Sequence, residues 1–258
     1  MWNAVRLLSA GLILSLAGLS ARADTLHLGE TASVTLVGTG LGATISFHYG
    51  TTWITDFAGE YKWQPAAGSN NPWPLNQPFT SFCVDLNEYI RLNNTYNYVL
   101  KSLESSPYPD PQTSNTGMGT DRANALRRLW GTDRADVTTN VKAAAFQMAI
   151  WEIVFEYPAS AGLPLSSMNV TGGNFYMDVT DTDSTKQALW QSIANQANAY
   201  LAAAWAPTAK YEPMLAVMSL NGAQDQLVVM PLPASACGGA VLFGALAALR
   251  TARRRPTA

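Results

Sequence analysis

The cysteine content of this chain constrains its fold more than any other feature. The chain has two cysteines, and the second, Cys237, lies in an apolar stretch near the C-terminus that is typical of a sorting tail. The globular part is therefore left with Cys83 alone, which cannot close an internal disulfide. The domain must depend on its apolar core for stability, and Cys83 is a buried bystander, an intermolecular bridge or a thiol kept for chemistry.

The N-terminus has the pattern of a secretory signal peptide. Arg6 precedes an apolar run over residues 7–19, and small residues follow at Ala21 and Ala23. A basic start, a short apolar core and a small-residue cleavage site define such a signal, and the core is shorter than a comfortable membrane span. We expect residues 1–23 to be removed by cleavage after Ala23, and an uncleaved anchor is the alternative.

The C-terminus, residues 231–258, has the pattern of a second sorting signal. It combines a proline-bearing motif, an apolar stretch just long enough to cross a bilayer, and an arginine cluster that would stay on the cytoplasmic side. The motif consists of Pro231, Leu232, Pro233 and Ala234. This segment resembles the PEP-CTERM signal of Gram-negative bacteria, which a membrane protease, exosortase, cuts near the motif. The resemblance implies an inner-membrane intermediate that is then released to the cell surface or the extracellular matrix. A permanent single-span anchor is the alternative.

The charge of the segment between these ends limits its partners. Six of the 16 Lys and Arg residues fall in the two end segments, whereas all 18 Asp and Glu residues lie between them. The central domain, residues 24–230, therefore has 10 basic residues and a net charge of −8. An acidic surface disfavours nucleic acid or anionic lipid as a partner. The chain has only two histidines, His27 and His48, so we expect no histidine-rich metal site and no cofactor.

The first half of the domain has the alternation of β-strands. Apolar and polar residues alternate at 33–37, 44–49, around 53–63, 79–86 and 96–100, and we expect the glycines at 38 and 40 to break the first strand. Within 79–86, the alternation places Phe82, Val84 and Leu86 on one face and Ser81, Cys83 and Asp85 on the other. We therefore expect Cys83 to point toward a second layer or a cleft.

The second half predicts helices and then a closing hairpin. We expect a long loop at 105–118, a short helix at 121–130 ended by Gly131, and a long helix that Thr138 or Thr139 caps and Pro158 stops. A capping box at 184–187 begins a third helix that reaches Trp205, and a hairpin follows at 214–230.

The long helix carries Gln147 next to an apolar stripe. Val141, Ala145, Ala149 and Ile153 line that stripe, with Phe146, Ile150 and Val154 beside it. Gln147 shares its own side of the helix with Trp151 and Phe155, so its amide is expected to be enclosed by aromatic side chains.

A lone cysteine and an enclosed glutamine are what an internal thioester requires. The sulfur attacks the side-chain carbonyl of glutamine, and ammonia leaves. The sulfur must be deprotonated at that moment, the carbonyl must be polarised by donors, and water must be kept out. The product can acylate an amine or a hydroxyl on a partner. The alternatives are a cysteine that is only a small buried hydrophobe and a glutamine that is a hydrogen-bonded core amide.

Two short segments resemble the thioester domains of bacterial surface adhesins. The first is Phe82-Cys83 on a strand, and the second is the helical run Phe146-Gln147-Met148-Ala149-Ile150-Trp151. The resemblance implies that Cys83 and Gln147 supply the two halves of the bond. It also implies that Phe82, Phe146 and Trp151 form the environment of the bond.

Other groups of polar residues are weaker candidates for a functional site. Asp178, Asp181 and Asp183 lack the rest of a calcium loop, and we interpret them as an acidic helix cap. Glu152 and Glu156 are one helical turn apart, a spacing that is common on solvated surfaces. Asp85 with Glu88 could in principle be a hydrolase pair, and a cysteine hydrolase that pairs Cys83 with a histidine has no local signature here.

The sequence thus predicts an exported α+β protein with an N-terminal antiparallel sheet or barrel, inserted helices, a C-terminal hairpin and a single hydrophobic sorting helix. Our leading interpretation is a cell-surface or biofilm-matrix protein that attaches covalently, once per molecule, to an amine or hydroxyl on a protein or polysaccharide. It is not a turnover enzyme in this interpretation. The alternative is a non-covalent structural or glycan-binding matrix protein with an inert thiol.

Overall fold

Apart from a short strand at Phe175–Met177, which was not predicted, the strands and helices follow the predicted order along the chain. The computed structural model describes residues 28–67, 71–106, 117–157 and 168–231. The strands are β1 (Thr31–Tyr49), β2 (Thr52–Pro65), β3 (Phe79–Cys83), β4 (Thr95–Ser102), β5 (Phe175–Met177), β6 (Leu215–Leu220) and β7 (Ala223–Val229). The helices are α1 (Gly119–Asp133), α2 (Asn140–Glu156) and α3 (Ser184–Trp205). Over the residues described, the chain is α+β with seven antiparallel strands and three α-helices, which confirms the predicted fold class.

The strands are joined in one sheet that closes on itself. Their order is β2-β3-β7-β6-β4-β1-β5, and β1 also pairs with β2. Six strands therefore form a closed ring, and the short β5 extends the far end of β1. The predicted C-terminal hairpin is β6 and β7, which lie between β4 and β3. The last part of the described chain thus completes the barrel.

The glycines of β1 bend the strand without ending it. We expected a break at residues 38–40, and this expectation is wrong, because β1 is a single strand of 19 residues. Its register against β2 shifts between Leu36 and Gly38 and again between Thr39 and Gly42. Each shift is a local irregularity of the bulge type, which glycine tolerates and which adds the curvature that a closed barrel needs.

Helix α2 is buried along most of its length. Thr139 caps it by accepting a hydrogen bond from the Lys142 N–H, as the sequence predicts. All residues from 143 to 155 are buried, so the buried surface of the helix extends well beyond the one-sided apolar stripe expected from the sequence. The helix is covered by β1 and β2 on one side and by α1 and α3 on the other. This is the pattern of a core helix between two layers.

The bounds of the other two helices differ slightly from prediction. Helix α1 continues through Gly131, because that glycine serves close packing and not termination: a Cβ there would lie 2.8 Å from the main chain of Tyr211. Helix α3 reaches Trp205 as expected, but its cap is Asp183 and not Ser184. The Asp183 carboxylate accepts hydrogen bonds from the N–H groups of Thr185 and Lys186.

Several predicted features lie outside the described residues. They are the signal peptide, the sorting tail beyond Pro231 and most of the loop expected at 105–118. Residues Leu28–Met230 form one compact unit. In the part of the chain that the structure describes, none of the helices has the length and apolar character needed to cross a membrane.

Candidate functional site

Cys83 is the last residue of β3, at a point where the sheet has a gap. It lies opposite Gln226 of β7, and the next residue, Val84, donates its N–H to the carbonyl of Asp225 on β7. Because main-chain groups alternate in direction along a strand, the N–H and C=O of Cys83 point away from β7. On that other side, β2 pairs with β3 only as far as Ser81. The main chain of Cys83 therefore has no strand partner there.

The side chain of Gln147 occupies this gap. Its Oε1 accepts a hydrogen bond of 2.9 Å from the Cys83 N–H, and its Nε2 donates one of 2.7 Å to the Cys83 C=O. Both residues are 0% exposed. The amide thus takes the place of a neighbouring strand residue, and helix α2 is fixed to the end of β3 at this position. The two residues that the sequence pairs across 64 positions are in direct contact.

This contact has a chemical consequence beyond packing. The Cys83 N–H polarises the Gln147 carbonyl along the direction in which an oxyanion would form. The same pair of hydrogen bonds holds the amide carbon beside the residue that carries the thiol. A fully buried site also excludes the water that would hydrolyse an acyl group. The arrangement can support acyl transfer from the glutamine to the sulfur, and it equally satisfies a core amide.

The thiol itself is neutral and enclosed. Its S–H donates to the carbonyl of Asp85, and the Asp85 N–H donates back to the sulfur at 3.2 Å. Burial raises the pKa of the Cys83 thiol well above its ordinary value, and the negative charge of Asp85 raises it further. The hydrogen bond with the Asp85 main chain lowers this pKa, and so does the indole of Trp151. We expected Cys83 to point toward a second layer or a cleft, and the structure shows no cleft at this point, because Cys83 is fully buried.

The aromatic residues named from the sequence lie around this contact, on two sides of β3. Phe82 packs against Phe146 with ring centroids 5.0 Å apart and against Trp130 at 5.8 Å. Trp151 packs against Phe47 of β1 at 5.1 Å. Phe82 therefore faces the helices, and alternation turns Cys83 toward the opposite face, as expected.

Phe155 belongs to a different cluster from the one expected. Its ring packs against Tyr49 of β1 at 4.9 Å and against Phe175 of β5 at 5.8 Å. It lies two turns after Gln147 on α2 and packs at the β5 end of the sheet. The interpretation that Phe155 helps to enclose the Gln147 amide gains no support from these contacts.

A chain of buried polar side chains accompanies Cys83 on its face of the barrel. Trp63 donates its indole N–H to the Ser81 hydroxyl at 2.7 Å, and Ser81 donates to Gln226 Oε1 at 2.6 Å. Gln226 donates to Gln224 Oε1 at 3.2 Å, and Gln224 donates to the Asp85 carbonyl at 3.3 Å. Neither glutamine was predicted from the sequence. Their spacing of two within β7 is the signal that could have placed them on one face.

Two carboxyl groups next to this chain carry raised pKa values. Burial raises the pKa of Asp85 to about 6, and burial raises that of Asp225 to about 7. The charges of Asp85 and Glu88 raise the pKa of Asp225 further. Glu88 accepts a hydrogen bond from the Gly222 N–H, at the turn between β6 and β7. Glu88 also raises the pKa of Asp85. Asp225, which was not predicted from the sequence, belongs to the same group of interacting carboxyls.

The other acidic residues have structural roles. Glu152 is 2% exposed and accepts a hydrogen bond from the Asn169 N–H, so the expectation of a solvated position is wrong. Glu156 accepts hydrogen bonds from the N–H groups of Asn174 and Phe175. Both carboxylates thus bind the segment that leads into β5. Burial raises the pKa of Glu152 to about 8, and the charge of Glu156 adds to this shift.

The remaining candidates form neither a metal site nor a cysteine–histidine pair within the described residues. Asp178 and Asp181 accept hydrogen bonds from N–H groups two residues further on, and Asp183 caps α3, as interpreted from the sequence. No group of three or more potential metal ligands occurs in the part of the chain described. His48 stacks on Tyr176 at 4.5 Å, and His27 lies outside the described residues.

Comparison with known proteins leaves the site to be interpreted from its own geometry. No protein-family model matches this chain, and neither a curated protein nor a solved structure matches it.

Proposed function

We propose that this protein is an exported surface or extracellular-matrix protein that attaches to a partner through a thioester between Cys83 and Gln147. The observation that carries the proposal is the two-point contact between the Gln147 amide and the main chain of Cys83, inside a fully buried site. The contact holds the electrophilic carbon beside the only cysteine of the described residues and provides a donor for the developing oxyanion.

The proposed chemistry has two steps. In the first, the Cys83 sulfur bonds to the Gln147 side-chain carbonyl carbon, the carbon–nitrogen bond breaks, and the nitrogen leaves as ammonia with the thiol proton. In the second, an amine or hydroxyl on a protein or polysaccharide attacks the same carbon, the carbon–sulfur bond breaks, and the thiol is regenerated. Each molecule reacts once, so the protein is consumed and is not a turnover enzyme. Reaction with a large partner requires the buried site to open.

The two end segments support a location for this reaction. Residues 1–23 have the pattern of a signal peptide, and residues 231–258 have the motif, apolar stretch and basic end of a PEP-CTERM-type tail. We propose that an exosortase-type protease processes a membrane-bound intermediate at the motif. The domain would then reach the cell surface or extracellular matrix of a Gram-negative bacterium.

The test is the intact mass of the purified domain, residues 24–230, under non-reducing conditions. A mass lower by one ammonia, restored by methylamine, is the expected result. Gln147→Ala should abolish the loss, and Gln226→Ala is the matched control, because that glutamine also lies next to Cys83. If the loss of ammonia persists in Gln147→Ala and disappears in Gln226→Ala, the thioester involves Gln226 and the proposal for Gln147 is wrong. An intact mass equal to that of the unmodified sequence, together with a titratable thiol in the unfolded protein, would refute the proposal.

A second candidate is a non-covalent glycan-binding matrix protein, and one surface feature favours it. Trp53 is 50% exposed, its ring meets His48 edge-on at 4.6 Å, and His48 stacks on Tyr176. Exposed aromatic faces of this kind can pack against sugar rings. In this interpretation the Gln147 amide is a satisfied core amide. Loss of polysaccharide binding in Trp53→Ala, with the full unmodified mass in the unchanged protein, would favour this function.

A further inference from the structure

Trp151 carries a buried hydrogen-bond donor without an acceptor. Its side chain is 1% exposed, and its indole Nε1 makes no hydrogen bond of ordinary geometry with any described residue. A buried N–H left unpaired costs about 1–3 kcal/mol, so native proteins rarely retain one without a reason. The contrast with Trp63 is informative, because the buried indole of Trp63 donates to Ser81 at 2.7 Å.

The fold places this donor at the proposed thioester. Trp151 lies four residues after Gln147 on α2, and side chains at this spacing lie on the same face of a helix. Its ring is held by Phe47 of β1 at 5.1 Å and by Phe175 of β5 at 6.3 Å. Because Gln147 on this face bonds to the main chain of Cys83, the Trp151 indole lies on the side of α2 that meets Cys83. The indole also lowers the pKa of the Cys83 thiol.

The surroundings of the sulfur otherwise disfavour negative charge. Burial and the carboxylates of Asp85 and Asp56 all act against the thiolate. Among the described residues, the Asp85 N–H is the donor that bonds the sulfur, at 3.2 Å. A sulfur that must become anionic in this site therefore needs a second donor, and the free indole N–H is in position to supply it.

We propose that the indole N–H of Trp151 donates a hydrogen bond to the Cys83 sulfur whenever that sulfur carries negative charge, and thereby accelerates both formation and opening of the thioester. This inference rests on the proposed function and goes beyond the packing role that the sequence resemblance implies for Trp151.

The donor acts at the same atom in both steps. During formation, the sulfur gives up its proton to the departing nitrogen and bonds to the Gln147 carbonyl carbon. During opening by an amine, the carbon–sulfur bond breaks, the sulfur takes the electron pair, and the proton lost by the amine then neutralises it. Starting from the neutral thiol, the sulfur gains negative charge as its proton leaves in the first step, and it gains it again as the carbon–sulfur bond breaks in the second. A donor that binds the anion more strongly than the neutral sulfur lowers both barriers.

The test compares rates of thioester opening by methylamine, followed by intact mass. Replacing Trp151 with 3-benzothienylalanine keeps the bicyclic ring and exchanges the N–H for sulfur, so the packing against Phe47 and Phe175 is preserved. We expect opening to slow by roughly 10- to 100-fold, the range for a hydrogen bond to a charged group. Trp151→Phe should show a loss at least as large. The same replacement at Trp190 is the control, because its buried indole N–H is also unpaired but lies on α3 and outside the polar chain beside Cys83. We expect its opening rate to stay within about twofold of the unchanged protein.

A second readout separates this inference from the proposed function. The indole ¹H–¹⁵N resonance of Trp151 should move when Cys83→Ala removes the sulfur, whereas that of Trp190 should not. An unchanged opening rate in the benzothienylalanine protein, with the thioester present by mass, overturns the role of Trp151 and leaves the proposed function standing. Absence of any ammonia loss in the unchanged protein overturns the proposed function and this inference with it, even if the resonance of Trp151 responds to Cys83→Ala.

Discussion

The Gln147 amide fills a gap in the sheet, and Gln147→Glu tests this arrangement directly. The Cys83 C=O accepts a hydrogen bond from Gln147 Nε2 in a fully buried position. A carboxylate cannot donate that bond and would place negative charge against a carbonyl oxygen. The introduced carboxyl must therefore stay protonated in the folded protein, so its pKa is raised above its ordinary value. The comparison belongs in a Cys83→Ala parent, where no crosslink can form and the main chain is unchanged.

The size of the effect follows from the cost of neutralising the carboxyl. A carboxyl of ordinary pKa about 4.3 that must stay protonated costs about 1.36 kcal/mol for each pH unit above that value. We expect a loss of about 1 kcal/mol at pH 5 and about 4 kcal/mol at pH 7. The sign follows from the raised pKa, because the penalty is absent below pH 4.3 and grows as the pH rises toward the folded pKa.

Urea unfolding of parent and variant at both pH values measures this difference. Gln187→Glu, on the exposed first turn of α3, makes the same change in charge and should shift stability by less than about 0.5 kcal/mol at either pH. A Gln147→Glu penalty that is equal at pH 5 and pH 7 would refute the reasoning, because it would show that the amide does not donate to Cys83 in a buried site.

Three further changes test other contacts. Glu152→Gln should raise Tm by at least about 4 °C at pH 8 and by less than about 1 °C at pH 4, because the raised pKa of the buried carboxyl makes the unchanged protein lose stability as pH rises from about 4.5 to about 8. Gly131→Ala should cost about 1–3 kcal/mol in urea unfolding, whereas Gly172→Ala, whose Cβ meets nothing within 4 Å, should stay within about 0.5 kcal/mol. Arg134→Met should cost about 2–4 kcal/mol, because it leaves Glu60 buried without its partner at 2.7 Å, and adding Glu60→Gln should recover part of the loss in a double-mutant cycle.

The parts of the fold with strong local signals were predictable. Thr139 is the cap of α2 because its side chain can accept a main-chain hydrogen bond, and a proline follows the helix at 158. Phe82 and Cys83 face opposite sides of β3 because successive side chains of a strand alternate in direction. Signals of this kind need no knowledge of which elements are neighbours in space.

Other features depend on tertiary packing, and their roles were predicted wrongly from the sequence. Gly131 has the appearance of a helix end, and only the approach of the Tyr211 main chain shows that it is a packing contact. Glu152 has the spacing of a surface residue, but α2 is covered by the sheet on one side and by helices on the other. Burial of Glu152 depends on how the layers pack together, so it cannot be predicted from the sequence of α2 alone.

The candidate site lies between these two cases. The sequence predicts that Cys83 and Gln147 meet, because a lone cysteine and an enclosed glutamine carry a known chemistry. It does not predict that the amide bonds to the main chain of Cys83, since this depends on the place where β2 stops pairing with β3. It also does not predict Gln226 as the opposite residue, because that pairing joins distant parts of the chain.

The position of β7 at the end of the described chain sets an order of events. Strand β3 is synthesised early, but its neighbour β7 is the last strand to appear, so the ladder around Cys83 closes across roughly 140 residues of intervening chain. Until the final hairpin docks, Cys83 lacks its neighbour on the β7 side, whereas its contact with Gln147 lies on the other side of β3. A chain whose synthesis has not yet reached β7 therefore cannot complete the ladder beside Cys83. Closure of the barrel is therefore a late event in folding, because it waits for β7, the last of the described strands.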